Sequence, residues 1–431
     1  MENDPKQSRF SLLGQSIFGD LHRMIGWVLL VGALGGGVGF AFLSTLHGLE
    51  YLIAPTHYRG VAGGWAIVVI MAGVGLMVGL ITRYLGTPGD VELLVNNIHV
   101  LGGSKDVRDL KSLLPVSLLC IAGGGAAGPE APLVQTTGGI GSVLANWRGF
   151  STADRRVLAI TGMAAGFTVL FGTPLGSAIF ALEILHRRGM EYYEALMPAI
   201  LGSLMGYAVF MLATGLGLAP IWQFPASAHL QQLDILWAVP AGAVGAVVAV
   251  AFTYFNLALR RLFHQLPMTA RPVLGGVILG LLGAFWSGYA LTFGELQINE
   301  LLSKTGEHPM AAFFITAAVA KFLGTSITIS SGWRGGFIIP LFFIGAAIGQ
   351  LWHFLMPGQT NAVVLMAALM VAINTGVTKT PIGSMLVVTE MAGLELMPTT
   401  LIAAVIALLL TSEVGLIESQ RTRDTAEQDD G

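Results

Sequence analysis

The chain has 431 residues, of which 54% are hydrophobic and only 11% are charged, against about 25% charged in an ordinary soluble domain. Its formal net charge of −3 supplies no basic field for nucleic acid. Six charges lie in the first 23 residues and seven in the last 16. The stretch between is too apolar to be wetted on its outside, which excludes a soluble enzyme and predicts an all-α polytopic membrane protein.

The opening MENDPKQSRF lacks a charged segment followed by an apolar one, so no cleaved signal peptide is expected. An amphipathic stretch over 9–20 precedes a first long span near 24–54 and a second near 64–84. The apolar runs then shorten to 110–123, 129–146, 157–171 and 174–186, and lengthen again near 193–218 and 233–263. The second half repeats the habit near 272–291, 309–329, 337–356, 361–376, 381–393 and 398–415. Many of these fall short of the roughly 20 residues that cross a bilayer. Short, Gly/Pro-interrupted segments in both halves predict discontinuous helices whose ends meet inside the protein. The polar tail after 420 is too short to fold alone. Trp27, Trp65 and Trp147 near span ends fit interfacial anchoring.

An internal repeat organises the chain. Thr173-Pro174-Leu175-Gly176-Ser177 with Glu183 recurs 207 residues later as Thr380-Pro381-Ile382-Gly383-Ser384 with Glu390. Upstream, Pro132-Leu133 with Ile140-Gly141 recurs 208 residues later as Pro340-Leu341 with Ile348-Gly349. Two motifs in one order at nearly one offset divide the chain into related halves, about 24–218 and 233–417, within a single transmembrane domain over 1–431. Broken helices favour an inverted relation between the halves.

Each half carries a Gly/Pro-rich break just before an apolar helix, at 123–132 and 330–340. Glycine lets the backbone turn sharply there, and proline suits a helix's first turn because its missing N–H would be unsatisfied anyway. Free N–H groups at such a start, backed by the helix dipole, make an anion site without a cationic side chain. Two of them facing one another at mid-membrane would hold a desolvated small anion. Glu130 lies inside the first break, where a carboxylate is costly and is by default a functional residue. Ionised, it can occupy the anion site itself. Protonated, it can leave and admit the anion, so one side chain would be both gate and proton carrier.

These residues are similar to a known family. Gly128-Pro129-Glu130-Ala131-Pro132 resembles the G-[KR]-E-G-P signature of the CLC chloride channels and transporters. Thr173-Pro174-Leu175-Gly176 resembles the family's T-P-L-x-G helix. Lys321, Ser331-Gly332 and Gly335-Gly336-Phe337-Ile338-Ile339-Pro340 resemble its K…S-G…G-G-x-F-x-P stretch. The resemblance runs over about 24–420 and implies a fold of two inverted-topology repeats, usually a homodimer with one pore per subunit. It further implies chloride and protons as the transported partners, with Glu130 as gate. Gly128, Pro129, Ala131, Gly336, Phe337 and Ile338 correspond to the anion-binding backbone. Thr87, in Gly86-Thr87-Pro88-Gly89, stands for the family's anion-binding serine.

Two departures bear on mechanism. Family antiporters carry an internal glutamate one residue after the position of Glu183, and Ile184 stands there. The tyrosine of their terminal Y-x-S-Q context corresponds to Ile417 in Ile417-Glu418-Ser419-Gln420. An aliphatic side chain neither donates to an anion nor relays a proton. Glu183, turned about 100° from that place on a helix, is expected to be structural, as is Glu390. Lys321, Arg334 and Lys379 either add positive potential to the path or pair with neighbours.

The reading is Cl⁻/H⁺ antiport gated by Glu130, in a multi-pass cell-membrane protein, bacterial inner membrane, with cytoplasmic termini. A passive chloride channel is the alternative, and a secondary transporter for another anion stands behind it. Thr87 and Pro132 argue against fluoride. No enzyme is expected, since no nucleophile–base set appears. No cofactor or metal is expected either, the nine histidines showing no H-x-x-x-H pairing. The single cysteine, Cys120, lies in an apolar run and is expected to be an inert buried thiol.

Overall fold

The computed structural model describes residues 5–420 except 59, 90, 104–107, 188, 216–221, 223, 226–229 and 304–310, with side chains from Met24 onward apart from 58, 91, 108 and 109. The polar tail beyond 420 and the expected end of the first repeat near 218 lie outside the described residues. Sixteen α-helices are present among these residues, and no β-sheet. The first eight are α1 (Pro5–Ile53), α2 (Trp65–Leu85), α3 (Val91–Leu101), α4 (Arg108–Ala122), α5 (Glu130–Arg148), α6 (Thr152–Phe171), α7 (Pro174–Glu183) and α8 (Leu196–Thr214). The second eight are α9 (Gln232–His264), α10 (Ala270–Phe285), α11 (Glu295–Ser303), α12 (Ala311–Ser330), α13 (Ile338–Leu355), α14 (Ala362–Thr378), α15 (Pro381–Ala392) and α16 (Met397–Leu410).

The 9–20 stretch is not a separate element: α1 runs through it into the first span without a break. Among the described residues, six helical stretches are long and apolar enough to cross a membrane, among them Met24–His57, Gln232–His264 and Ile338–Leu355. Others, such as Pro174–Glu183 and Pro381–Ala392, are half that length, as the interrupted pattern predicts. Helices this short reach only partway across a bilayer, so their ends are satisfied inside the protein.

The helix breaks follow from local chemistry. Pro129 ends the first break and Glu130 opens α5; Gly124 turns the backbone at φ 90, and Gly332, its counterpart in the other half, does the same at φ 91. α7 and α15 each begin on proline, at Pro174 and Pro381. The α14 start is capped by Asn361, whose side chain accepts from the N–H groups of Val363 and Val364. α14 itself is buried along its whole length, a helix surrounded by protein rather than lipid.

The two halves are related by a local two-fold, visible in reciprocal bonds between equivalent residues. Gly128 N–H donates to Gly336 O at 2.7 Å, and Gly336 N–H donates to Gly128 O at 2.6 Å. Glu183 accepts from the N–H groups of Ile382 (3.2 Å) and Gly383 (2.6 Å) at the start of α15. Glu390 accepts from Gly176 N–H (2.6 Å) at the start of α7. Each carboxylate thus caps the short helix of the opposite repeat, which fits the structural role expected for both. A further echo joins Leu196-Met197-Pro198 to Leu396-Met397-Pro398, where a single 3₁₀ turn leads into α8 and α16 alike.

Glycine sets how closely α7 and α15 cross. A Cβ at Gly383 would lie 2.5 Å from Phe180 Cα, and one at Gly176 2.6 Å from Val387 N, again equivalent contacts. The obstructing atoms are backbone, so no rotamer change relieves them. Gly383→Ala is expected to cost about 1–3 kcal/mol by overpacking. A lowered thermal unfolding midpoint in detergent is the expected result, and an unchanged one rules out close packing at this crossing.

Candidate functional site

The site is built where α5 and α13 begin. The reciprocal Gly128–Gly336 bonds hold the two breaks side by side and orient both helix starts into one region. Neighbours fix the first break: Thr292 N–H donates to Gly124 O (2.9 Å), and Ala126 N–H donates to Thr328 Oγ1 (3.0 Å). The second break is fixed by Trp333 Nε1, which donates to Pro272 O at 2.9 Å. Arg334 N–H meets Cys120 Sγ at 3.2 Å, so the buried thiol serves as a weak acceptor beside the site.

Glu130 is 1% exposed. Its Oε1 accepts from Ile339 N–H at 2.6 Å, in the first turn of α13, and its Oε2 has no hydrogen-bond partner. The carboxylate therefore lies on the N-terminus of the opposite repeat's helix, where a bound anion would gain the dipole and the free N–H groups. A Cβ on Gly336 would run into Oε2, which explains glycine there: the backbone must approach within contact of the carboxylate.

Two small cavities flank this point. One, of about 20 Å³, is lined by Glu130, Ala131, Gly336, Phe337, Ile338 and Ile184. The other, of about 50 Å³, is lined by Ala131, Phe337, Arg334 and Ile417 together with Arg260 and Glu92. Ala131 and Phe337 separate them, so the expected residues Glu130, Ala131, Gly336, Phe337, Ile338, Ile184 and Ile417 converge, with Gly128 and Pro129 at the start of α5. Thr87 does not join them. It is exposed in the link between α2 and α3, and Gly89, two residues on, lines the larger of these cavities instead. Thr87 lies outside because Gly86, at φ 97, turns the chain away from α2 before Pro88 and Gly89 become buried.

Sequence reasoning missed Arg260, Glu92 and Gln420. Gln420 Nε2 donates to Ile184 O (2.9 Å) and Thr378 O (2.7 Å), tying the end of α7 to the segment that carries Ile417. Its place in the S-Q pair of the terminal motif was the available signal.

The expected cations divide. Arg334 lines the larger flanking cavity. Lys321 is fully buried but points to Leu291 O (3.0 Å), Thr292 O (2.7 Å) and Gln297 Oε1 (2.7 Å), and braces the loop that meets Gly124. Lys379, at φ 64 at the end of α14, donates to Gly376 O, Thr411 O and Thr411 Oγ1, 2.5 to 2.8 Å away. Both lysines are satisfied by oxygens of the scaffold and leave no ammonium hydrogen-bonded into the anion path.

Comparison with known proteins gives the same picture. Residues 74–412 match the family model described as voltage gated chloride channel. A chloride/fluoride channel protein of Pseudomonas syringae pv. tomato is 27% identical over 408 residues, 91% of this chain and 85% of the relative. Among solved structures, a CLC-type fluoride/proton antiporter superposes with a TM-score of 0.78 at 22% identity, covering 94% of this chain and 99% of that one. A slow cyanobacterial Cl⁻/H⁺ antiporter superposes with a TM-score of 0.77 at 22% identity, over 91% and 96%.

Proposed function

This chain belongs to the voltage-gated chloride channel (CLC) family, whose members are anion transporters and channels rather than enzymes, and from that premise we propose that it exchanges chloride for protons under the control of Glu130. The observation that carries the proposal is the seat of the Glu130 carboxylate on Ile339 N–H, at the start of α13. An ionised Glu130 competes with a halide for the same N–H groups and dipole. Protonation removes that competition, because a neutral carboxyl gains far less from the dipole than an anion does. Each opening thus carries one proton, and anion flux rises as pH falls.

Chloride is the proposed substrate; of the proteins it resembles, one is named for chloride and fluoride together, one for fluoride and one for chloride. With Thr87 outside the cavity, the serine-like hydroxyl no longer bears on that choice, and Gly89 leaves the α3 end of the path to backbone groups. The proposed assembly is a homodimer in a bacterial inner membrane with cytoplasmic termini, formed from a single transmembrane domain of two repeats. A passive channel is favoured by one observation: Ile184 and Ile417, where family antiporters carry a glutamate and a tyrosine, are buried and aliphatic.

Proteoliposomes holding a chloride or a fluoride gradient, with external pH recorded, separate these readings. The expected result is proton movement against its gradient, driven by chloride at least tenfold faster than by fluoride. Chloride flux without proton movement establishes the channel, a fluoride preference reverses the substrate, and no halide flux overturns the reading altogether.

A further inference from the structure

Three arginines stand where α5 ends and α6 begins, and two of them serve the fold. Arg155 Nη1 donates to Leu101 O at 3.0 Å, and Arg156 donates to Ile98 O (3.2 Å) and His99 O (3.3 Å), so both close the carbonyl end of α3. Arg156 also lies over the ring of Tyr192, which packs against His99 and His186. Arg148 differs. It is exposed, and among the described residues its guanidinium makes no hydrogen bond or ion pair. Nor is it needed to cap α5, because the N–H groups of Gly149 (φ 71) and Phe150 donate to Asn146 O and Ala145 O, each at 3.0 Å.

What holds Arg148 is aromatic. Its guanidinium carbon lies 5.1 Å from the centre of the Trp27 ring and 6.0 Å from that of Trp147. Trp27 is itself fixed edge-on against Phe150, with ring centroids 5.8 Å apart and planes at 80°. A cation over ring faces is steadied by their π electrons, yet its N–H donors stay available to an anion. Trp147 is 74% exposed, so its ring is offered to whatever surrounds the end of α5.

The depth of this clamp identifies the surroundings. Trp27 stands three residues into the first membrane-crossing stretch, Met24–His57. α5 starts at the interior break and runs 19 residues, about 28 Å. Its far end therefore lies beyond the ~15 Å that separate the midplane from the edge of the hydrocarbon. Both elements meet at headgroup depth, where tryptophan rings settle with one side in lipid and the other in water. The group there that matches a free guanidinium is a lipid phosphate, which accepts two parallel N–H bonds from its fork. The Asp154 carboxylate, in the first turn of α6, accepts from the Ser151 hydroxyl at 2.8 Å and is turned to its own helix cap, not to Arg148.

We propose that Arg148, between Trp27 and Trp147, binds the phosphate of an anionic phospholipid at the membrane face where the first span begins. The phosphate accepts from the guanidinium, the two indoles pack along the glycerol and upper acyl chains, and a headgroup without a cation of its own leaves the pairing uncontested. Phosphatidylglycerol has such a headgroup, whereas phosphatidylcholine places a competing ammonium beside the same phosphate. The site is independent of the transport reading, since it lies at the opposite end of α5 from Glu130.

The test is native mass spectrometry of the full-length protein released from micelles that hold equimolar phosphatidylglycerol and phosphatidylcholine. The unmodified protein is expected to retain phosphatidylglycerol about fivefold over phosphatidylcholine, the advantage of one cation at a membrane surface. Arg148→Gln is expected to bring that preference below about twofold, and Trp27→Leu to lower it by about half with the charge intact. Arg83→Gln, which removes an exposed arginine with no ring contact among the described residues, is expected to leave it unchanged. Equal retention of the two lipids by the unmodified protein overturns the inference, as does a preference that stays above about twofold in Arg148→Gln. So does an equal fall in Arg83→Gln, which makes the preference a matter of net charge, and so does a preference for phosphatidylcholine, which puts choline on the indoles. If Arg148→Gln fails to fold, Arg148→Lys reads the same site: an ammonium lacks the paired donors and is expected to keep about half of the preference, and full retention overturns the assignment.

Discussion

Glu130→Gln is expected to reduce proton movement at least a hundredfold, to background, and to flatten the pH dependence of anion flux to less than twofold between pH 4.5 and 7.5. Glutamine matches the shape of glutamate and keeps an oxygen that can accept from Ile339 N–H, so the seat at the start of α13 remains filled. What changes is charge. In the proposed mechanism the unmodified side chain is an anion competing for an anion's place, and each pH unit would alter that competition by about 1.4 kcal/mol while the carboxylate titrates. A side chain that cannot titrate removes both this dependence and the one group that can carry a proton through the anion's own site. Flux in proteoliposomes across that pH range checks both outcomes. A pH profile that survives the substitution would rule out Glu130 as the titrating gate.

The second large effect concerns stability. Glu183→Ala is expected to destabilise the fold by about 1–3 kcal/mol, because it strips the buried N–H of Gly383 and the part-buried N–H of Ile382 of a charged acceptor. Both groups open α15, and the one on Gly383 lies in the interior, where water is not at hand to replace the lost carboxylate. Glu183→Gln keeps one acceptor oxygen and is expected to lose about half as much. Thermal unfolding in detergent reads the loss. The same Gln variant should leave the proton-to-chloride ratio within twofold of the unmodified protein, which separates a capping carboxylate from a proton carrier. A collapsed ratio in a stable Glu183→Gln protein would reassign Glu183 to transport.

Most of the architecture was legible because it is written in local signals. Gly-Pro breaks, prolines at helix starts and a motif recurring after 207 residues act over short stretches, and they located the breaks and the short helices. α3 and α11 were missed: both are short and carry carboxylates and amides, and so lack the apolar run that marks a span. The position of a motif at a helix start was legible, as at Glu130, which opens α5 with its carboxylate on Ile339 N–H. The Thr87 reading failed because two residues of register in a turn decide which group faces the cavity, and no periodicity fixes register outside a helix. The His99–His186–Tyr192 cluster was invisible for another reason. His99 and Tyr192 stand 93 positions apart, and only tertiary packing brings α3 against the link that leads into α8.

The exchanged carboxylate caps have a consequence for biogenesis. When the ribosome has completed α7, the helix start at Gly176 has no acceptor, because Glu390 has still to be synthesised. The two halves therefore complete one another's short helices only once both have been made. Neither half is a finished unit, so truncation between them leaves a chain that quality-control proteases can recognise, whereas two fragments divided near 218–232 and produced together have complementary ends to reunite.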